Sequence, residues 1–289
     1  MPGGWMSYNE GGTNIPSPLQ FSPRIVRIRM TGRLTAYPVR GPDVVYESVL
    51  RKQMRLSMMT RLVVGLLVTC VAWTAGSLDC RAEEDGFKSI FNGTDLAGWK
   101  GREDLWSVQD GAITGRTTAE DPIKYNTFLV WDEGKVGDFE LHLKFKIDGG
   151  NSGIQYRSKL IDPEKFIVGG YQADIDAALQ YAGINYEERG RGILALRGQR
   201  VTVRPGNSKE VESFGDATEI GKVIKSGEWN DYRIVAKGNR LQHYINDTLT
   251  SEVIDEDPER GSEEGILALQ IHQGPPMVIQ FKDLKLKSL

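Results

Sequence analysis

The sequence predicts an all-β protein, an antiparallel two-sheet β-sandwich formed by residues 83–289. Three observations lead there. From Phe87 onward the apolar residues recur with period two rather than 3.6. Clusters of Gly, Asn and Asp punctuate the alternating runs at hairpin spacing. No stretch of the body carries the long apolar stripe of an amphipathic helix. A dozen short strands within 207 residues call for a sandwich or a barrel.

Ahead of that body lies a leader of opposite charge. Residues 1–82 hold 10 Lys and Arg against 4 Asp and Glu, whereas residues 83–289 hold 26 against 35. Arg51, Lys52, Arg55 and Arg61 precede the apolar run 62–73, and small residues then lead to Cys80-Arg81-Ala82. Basic, apolar, then small is the order of a secretory signal. Residues 54–82 are therefore expected to be a signal peptide cleaved after Ala82, and the protein to be exported to the periplasm, cell surface or medium. The apolar run is shorter than the roughly 20 residues of a spanning helix, so no stable membrane span is expected after cleavage. Residues 1–53, basic and broken by Pro and Gly, are expected to be a non-native or disordered extension, with Met54, Met58 or Met59 the true start. The alternative is a cytoplasmic extension ahead of an uncleaved anchor.

Within the body, 105–108 and 112–115 read as strands joined at Asp110-Gly111, a hairpin turn signal. A further strand is expected at 127–131. Phe139–Ile147 alternates without a break: Phe139, Leu141, Leu143, Phe145 and Ile147 face one way, Glu140, His142, Lys144 and Lys146 the other. Asp148–Asn151 is a turn, and 152–158 and 170–176 are strands. Asp176–Tyr186 reads as a short helical or irregular excursion. Strands follow at 192–196, 199–204, 231–237, 241–246, 249–254, 264–272 and 277–287. Trp99, Trp106 and Trp229 are expected to pack in the core or in hairpins, and His142 and His243 to sit at exposed alternating positions.

Composition narrows the function. An acidic body lacks the positive footprint that nucleic acid requires. Both cysteines, Cys70 and Cys80, lie in the leader, so the body has no disulfide, thiol nucleophile or Cys-ligated metal. Phosphate-binding loops, the Gly-x-Ser-x-Gly elbow and His-Glu-x-x-His are absent from the sequence.

What remains is an unusual set of polar residues on strands. By parity Asn151, Gln155 and Arg157 share a face, as do Gln172, Asp174 and Asp176 on the next strand, while Gln270 and His272 close a third. Amides and carboxylates suit sugar hydroxyls, and Trp131 is a candidate to stack on a sugar ring. Asp174, Asp176 and His272 are the candidates for catalysis. Asn151, Gln155, Arg157, Gln172, Gln270 and Trp131 are the candidates for substrate binding. Asp174 and Asp176, two apart on a strand, project together and can take a divalent cation.

Several segments, in order, resemble one family. Ser89–Trp99 (SIFNGTDLAGW), Trp106–Ile113, Asp138–Leu141, Asn151–Arg157, Gly170–Asp176, Glu228–Asn230, His243–Asn246, Gly265–Gly274 and Ile279–Leu284 resemble the 3-keto-disaccharide hydrolase domain family over roughly 87–287. The resemblance implies a concanavalin-like jelly-roll, export, and action on glycosides oxidised at C3. Many members carry Glu where this chain has Gln172 and Gln where it has Asp174, so Asp174 is expected to take the base role. Residues 177–199 have no counterpart in the resemblance. The implied reaction is removal of the C2 proton, elimination of the C1 substituent and hydration, a net hydrolysis. The competing expectations are a non-catalytic carbohydrate-binding sandwich and a structural surface domain with a merely wet polar face.

Overall fold

The computed structural model describes residues 86–289. The expected signal peptide and extension lie outside the described residues. The body folds as two stacked sheets. The ten-stranded sheet contains β1 (Lys88–Ser89), β3 (Trp106–Gln109), β4 (Ala112–Thr117), β6 (Phe139–Asp148), β11 (Gln199–Arg204), β12 (Ser208–Ser213), β13 (Asn230–Lys237), β14 (Arg240–Ile245), β15 (Thr248–Asp255) and β17 (Met277–Ser288). The seven-stranded sheet contains β2 (Trp99–Lys100), β5 (Thr127–Trp131), β7 (Asn151–Asp162), β8 (Ile167–Asp176), β9 (Asn185–Glu188), β10 (Gly192–Ala195) and β16 (Ile266–Ile271), in the order β10-β9-β8-β7-β16-β5-β2. One short helix, α1 (Ala217–Gly221), starts at Asp216, whose carboxylate accepts from the Thr218 and Glu219 amides.

The alternation seen in the sequence fixes which faces meet. The apolar half of β6 packs inward against Ile154 and Tyr156 of β7, Tyr171, Ala173 and Ile175 of β8, and Leu267, Leu269 and Ile271 of β16. Asp110 and Gly111 both take positive φ (51° and 73°) and close the β3–β4 hairpin at Gln109↔Ala112. Asn246 and Asp247 do the same between β14 and β15. The pairing is antiparallel with one exception, β11 beside β15. The chain enters β11 from β10 of the other sheet rather than through a hairpin, so nothing forces the direction to reverse.

Four strands escaped the sequence reading: β1, β2, β9 and β12. The first two have only two residues each, and β12 lies at a sheet edge with five exposed positions. Trp99 and Trp106 are core residues as expected, while Trp229 is half-exposed beside β13.

His243 corrects an expectation. It shares its parity with the buried Leu241 and Ile245 and is itself fully buried between the sheets. Its Nδ1 donates to Ile184 O (3.1 Å), and Nε2 takes the Tyr156 hydroxyl (2.9 Å). Burial in this apolar setting pushes its pKa down to about 3, so the ring is neutral and structural.

Candidate active site

The outer face of the seven-stranded sheet carries a cleft of about 460 Å³. Its floor is β8. Gln172, Asp174 and Asp176 all point outward from this strand, and only 2%, 6% and 7% of their surfaces remain exposed. Strand β7 runs beside it in the register Asn151↔Asp176, Gly153↔Asp174 and Gln155↔Gln172. The glycine in that row has a steric cause: a Cβ at Gly153 would lie 2.6 Å from the Gln172 side chain. The Gln172 amide fills the space a side chain would take and so reaches Asp174.

A line of hydrogen bonds orients that amide. Ser158 Oγ donates to Gln155 Oε1 (2.7 Å), Gln155 Nε2 donates to Gln172 Oε1 (2.7 Å), and Gln172 Nε2 donates to Asp174 Oδ1 (2.5 Å). Asn151 Nδ2 donates to the other oxygen of Asp174 at 3.2 Å. These neutral donors stabilise the carboxylate, but burial outweighs them, and Asp176 and Glu188 add like charge. The Asp174 pKa is raised from its ordinary value to about 7.

Asp176 serves differently. Its two oxygens accept the backbone amides of Ala178 (3.2 Å) and Tyr181 (3.0 Å), so its charge anchors the irregular turn after β8. His272 stands just past the end of β16 and lines the same cleft, half-exposed. Its Nδ1–H donates to Gln273 O (2.5 Å).

The structure therefore brings Asn151, Gln172, Asp174, Asp176 and His272 to one cleft. It moves four other sequence candidates. Gln155 and Gln270 are fully buried beneath the floor, where they contact Gln172 (2.7 and 3.4 Å) rather than the opening. Trp131 faces the core between the sheets, opposite Trp99, because Leu129 and Trp131 share the inward parity of β5.

Arg157 is displaced by a bulge. The β7–β8 register shifts between Tyr156 and Lys159, and Arg157 takes φ 46°, which turns its side chain off the cleft face. Gly265 makes room, since a Cβ there would lie 2.3 Å from the Arg157 carbonyl carbon. The guanidinium is 1% exposed and ties the sheets together. It donates to Gly137 O (2.8 Å), Gly238 O (2.6 Å), Ser262 O (3.5 Å) and Asp138 Oδ1 (2.8 Å).

Other residues reach the cleft without having been singled out. Tyr186 and Glu188 project from β9, Asn126 stands before β5, and Tyr181 and Ile193 form the rim. Glu188 Oε1 accepts Asn126 Nδ2 (3.2 Å), and Asn126 Oδ1 accepts the Gln273 amide (2.9 Å), so the third carboxylate is linked to the His272 loop. Tyr186 and Glu188 keep the two-residue period of a strand, the one signal that could have marked them. Among the described residues no three His, Cys, Asp or Glu side chains converge as a metal site. Asp176 already accepts two backbone amides, and Asp174 accepts from Gln172 and Asn151.

The profile of the 3-keto-alpha-glucoside-1,2-lyase-like domain matches residues 86–287, which is nearly all of the described chain. The chain belongs to this family. It is accordingly a carbohydrate-active β-sandwich. The 3-keto-alpha-glucoside-1,2-lyase-like domain is similar to solved structures at low identity. A proposed glycosyl hydrolase from Parabacteroides distasonis shares 20% identity, with 70% of this chain and 99% of that one covered and a TM-score of 0.47. The carbohydrate-binding module CBM66 from Bacillus subtilis shares 16%, over 66% and 96% of the two chains, with a TM-score of 0.45. A β-glucanase from Bacillus licheniformis shares 10%, over 70% and 97%, with a TM-score of 0.38. No curated protein matches the chain. Among the described residues no helix is long and apolar enough to cross a membrane.

Proposed function

We propose that this domain cleaves glycosides carrying a ketone at C3, by proton abstraction at C2 and elimination across C1–C2. The observation that carries the reading is Asp174: a buried carboxylate at the floor of a cleft, with its pKa raised to about 7 and two neutral amides on its oxygens. Such a group exchanges protons near neutral pH, which a solvated Asp does not.

The ketone acidifies the C2 proton. Asp174 takes that proton and an enolate forms. Asn151 and Gln172, whose amides already face the carboxylate, supply donors for the negative oxygen. The C1–O bond then breaks, and its electron pair leaves on the aglycone oxygen, which needs one proton. The candidate donors on the same cleft are Glu188 and His272. The sugar is left as a 2-hydroxy-3-keto-glycal. In the hydrolytic version the water oxygen adds to C1, its spare proton returns to the group that protonated the aglycone, and Asp174 returns its proton to C2. No step is routed through a metal ion.

The test is one assay. Purified protein is incubated with a 3-keto-glycoside and with its unoxidised parent, and free aglycone is followed. Release from the ketone alone supports the proposal; release from neither overturns it. Tyr181 and Tyr186 on the cleft favour a second reading, a sugar-binding module without turnover. Calorimetric binding of both sugars with no product would support that one. Export belongs to the proposal as well. Its support is the basic, apolar and small-residue order of residues 51–82, and N-terminal sequencing of the native protein should begin at or near Glu83.

A further inference from the structure

The outer face of the ten-stranded sheet, opposite the cleft, carries a stripe of cations. On the adjacent strands β6 and β17, Lys144 lies directly across from Lys282, and His142 from Lys285. Lys146 stands one alternation further along β6, and Lys287 further along β17. The body as a whole is acidic, with 26 Lys and Arg against 35 Asp and Glu, so this is a segregation of charge.

Asp231 pairs with Lys144 (2.5 Å), and Glu140 is shared by His142 (2.7 Å) and Arg233 (3.8 Å). Among the described residues no carboxylate pairs with Lys146, Lys282 or Lys287. Aromatic rings hold these ammonium groups instead. Lys146 and Lys282 lie 5.4 and 4.2 Å from the centroid of the half-exposed Trp229, and Lys287 lies 5.5 Å from that of Phe87. Like charges placed directly across a ladder destabilise a sheet. Rings that fix flexible ammonium groups lower the entropy lost when an anion arrives. A polyanion would relieve the repulsion.

We propose that this stripe binds an acidic polysaccharide, a glycan chain bearing carboxylates or sulfates. A flat sheet face with cations at alternate positions, about 7 Å apart along a strand, suits an extended polymer rather than a small anion. A lipid surface would want apolar side chains that penetrate it. The exposed large apolar residues Leu160, Ile161, Tyr181, Ile193, Leu196 and Val211 lie on other elements, and Leu289 only follows β17. The carbohydrate-active family makes a glycan the fitting polymer, and the cleft on the other sheet would stay open while the chain is held behind it.

Affinity electrophoresis of the full chain through gels with dextran sulfate, neutral dextran or neither tests this. Retardation is expected only with dextran sulfate. Lys146→Glu/Lys282→Glu should weaken it at least about tenfold and flatten its dependence on log salt by about two charges, in the manner of counterion release. Lys135→Glu/Lys222→Glu changes net charge equally but off the stripe, and should be retarded like the parent. The basic leader is common to all three proteins, so the comparison isolates the stripe. Unchanged thermal melting confirms that the variants fold, and Lys287→Gln, a milder change, should show a smaller loss. The proposal is overturned if the two double variants bind alike, if the parent is not retarded, or if anionic lipid vesicles capture the parent while dextran sulfate does not.

Discussion

On the outer face of the seven-stranded sheet the polar side chains bond to one another; on that of the ten-stranded sheet they reach into solvent. Both faces come from the same sequence pattern. Strand β6 alternates apolar and polar residues, and so does β8. Yet Glu140, His142, Lys144 and Lys146 are half-exposed, whereas Gln172, Asp174 and Asp176 are buried. The difference lies in what stands over each strand. Strand β9 and the turn after β8 wall in the outer face of β8, and the loop carrying His272 closes its other side. Alternation assigns a residue to a face; only the neighbouring chain decides whether that face is dry enough to perturb a carboxylate.

The largest expected effect follows from that dryness. Asp174→Asn should cut turnover of a 3-keto-glycoside by about 10²–10⁴-fold, the usual cost of losing a general base. The melting temperature should not fall, because the variant removes a charge that burial disfavours. Steady-state kinetics and a thermal melt check both halves.

Arg157 should behave in the opposite way. Replacing it with Met leaves three carbonyl oxygens without the guanidinium that now satisfies them, and should cost about 3 kcal/mol of stability, while the exposed Asp138 keeps the Gly238 amide and solvent. Turnover per folded molecule should be unchanged, because the side chain lies off the cleft. A loss of activity without a loss of stability would return Arg157 to the site.

The sequence carried the cleft only where the strands are regular. Asn151, Gln172, Asp174 and Asp176 follow parity, and His272 stands out as the polar end of an apolar strand. Arg157 was lost to a bulge, since a single residue at positive φ cancels the parity rule and nothing in Tyr156-Arg157-Ser158 announces it. Asn126 comes from an irregular segment that shows no period, and β9 is only four residues long, so Tyr186 and Glu188 mark a single alternation. Trp131 and His243 were legible after all. Each shares its parity with apolar neighbours, Leu129 in one case and Leu241 and Ile245 in the other.

His243 and Asp174 give opposite pH dependences, which sharpens the contrast between core and cleft. The His243 pKa is lowered on folding from 6.5 to about 3. Its contribution is present above pH 6.5 and lost as pH falls toward 3, a change on the order of a few kcal/mol. His243→Gln should remove that part of the acid sensitivity in urea melts between pH 3 and 7. The Asp174 pKa is raised, so its contribution is present below pH 4 and lost as pH rises through about 7. Asp174→Asn should therefore gain stability over the parent as pH increases across that range, and the gain should vanish near pH 4.

Gly153→Ala is the finest test of the amide line. Its Cβ would push the Gln172 amide away from Asp174. Losing that donor removes an interaction that lowers the Asp174 pKa. The limb of the pH–rate profile that rises with deprotonation of Asp174 should move to higher pH, with a smaller loss of maximal rate than Asp174→Asn causes.

The central claim is that the cleft holds one carboxylate poised near neutrality. Carbon-13 NMR of the aspartate side-chain carboxyls, with Asp174 assigned by its absence from Asp174→Asn, reads this directly. The account predicts a titration midpoint near 7 for Asp174, well above the ordinary aspartates of the same spectrum. A midpoint near 4 would mean that the cleft is solvated like any other polar sheet face, and the proton-transfer reading of this site would fall with it.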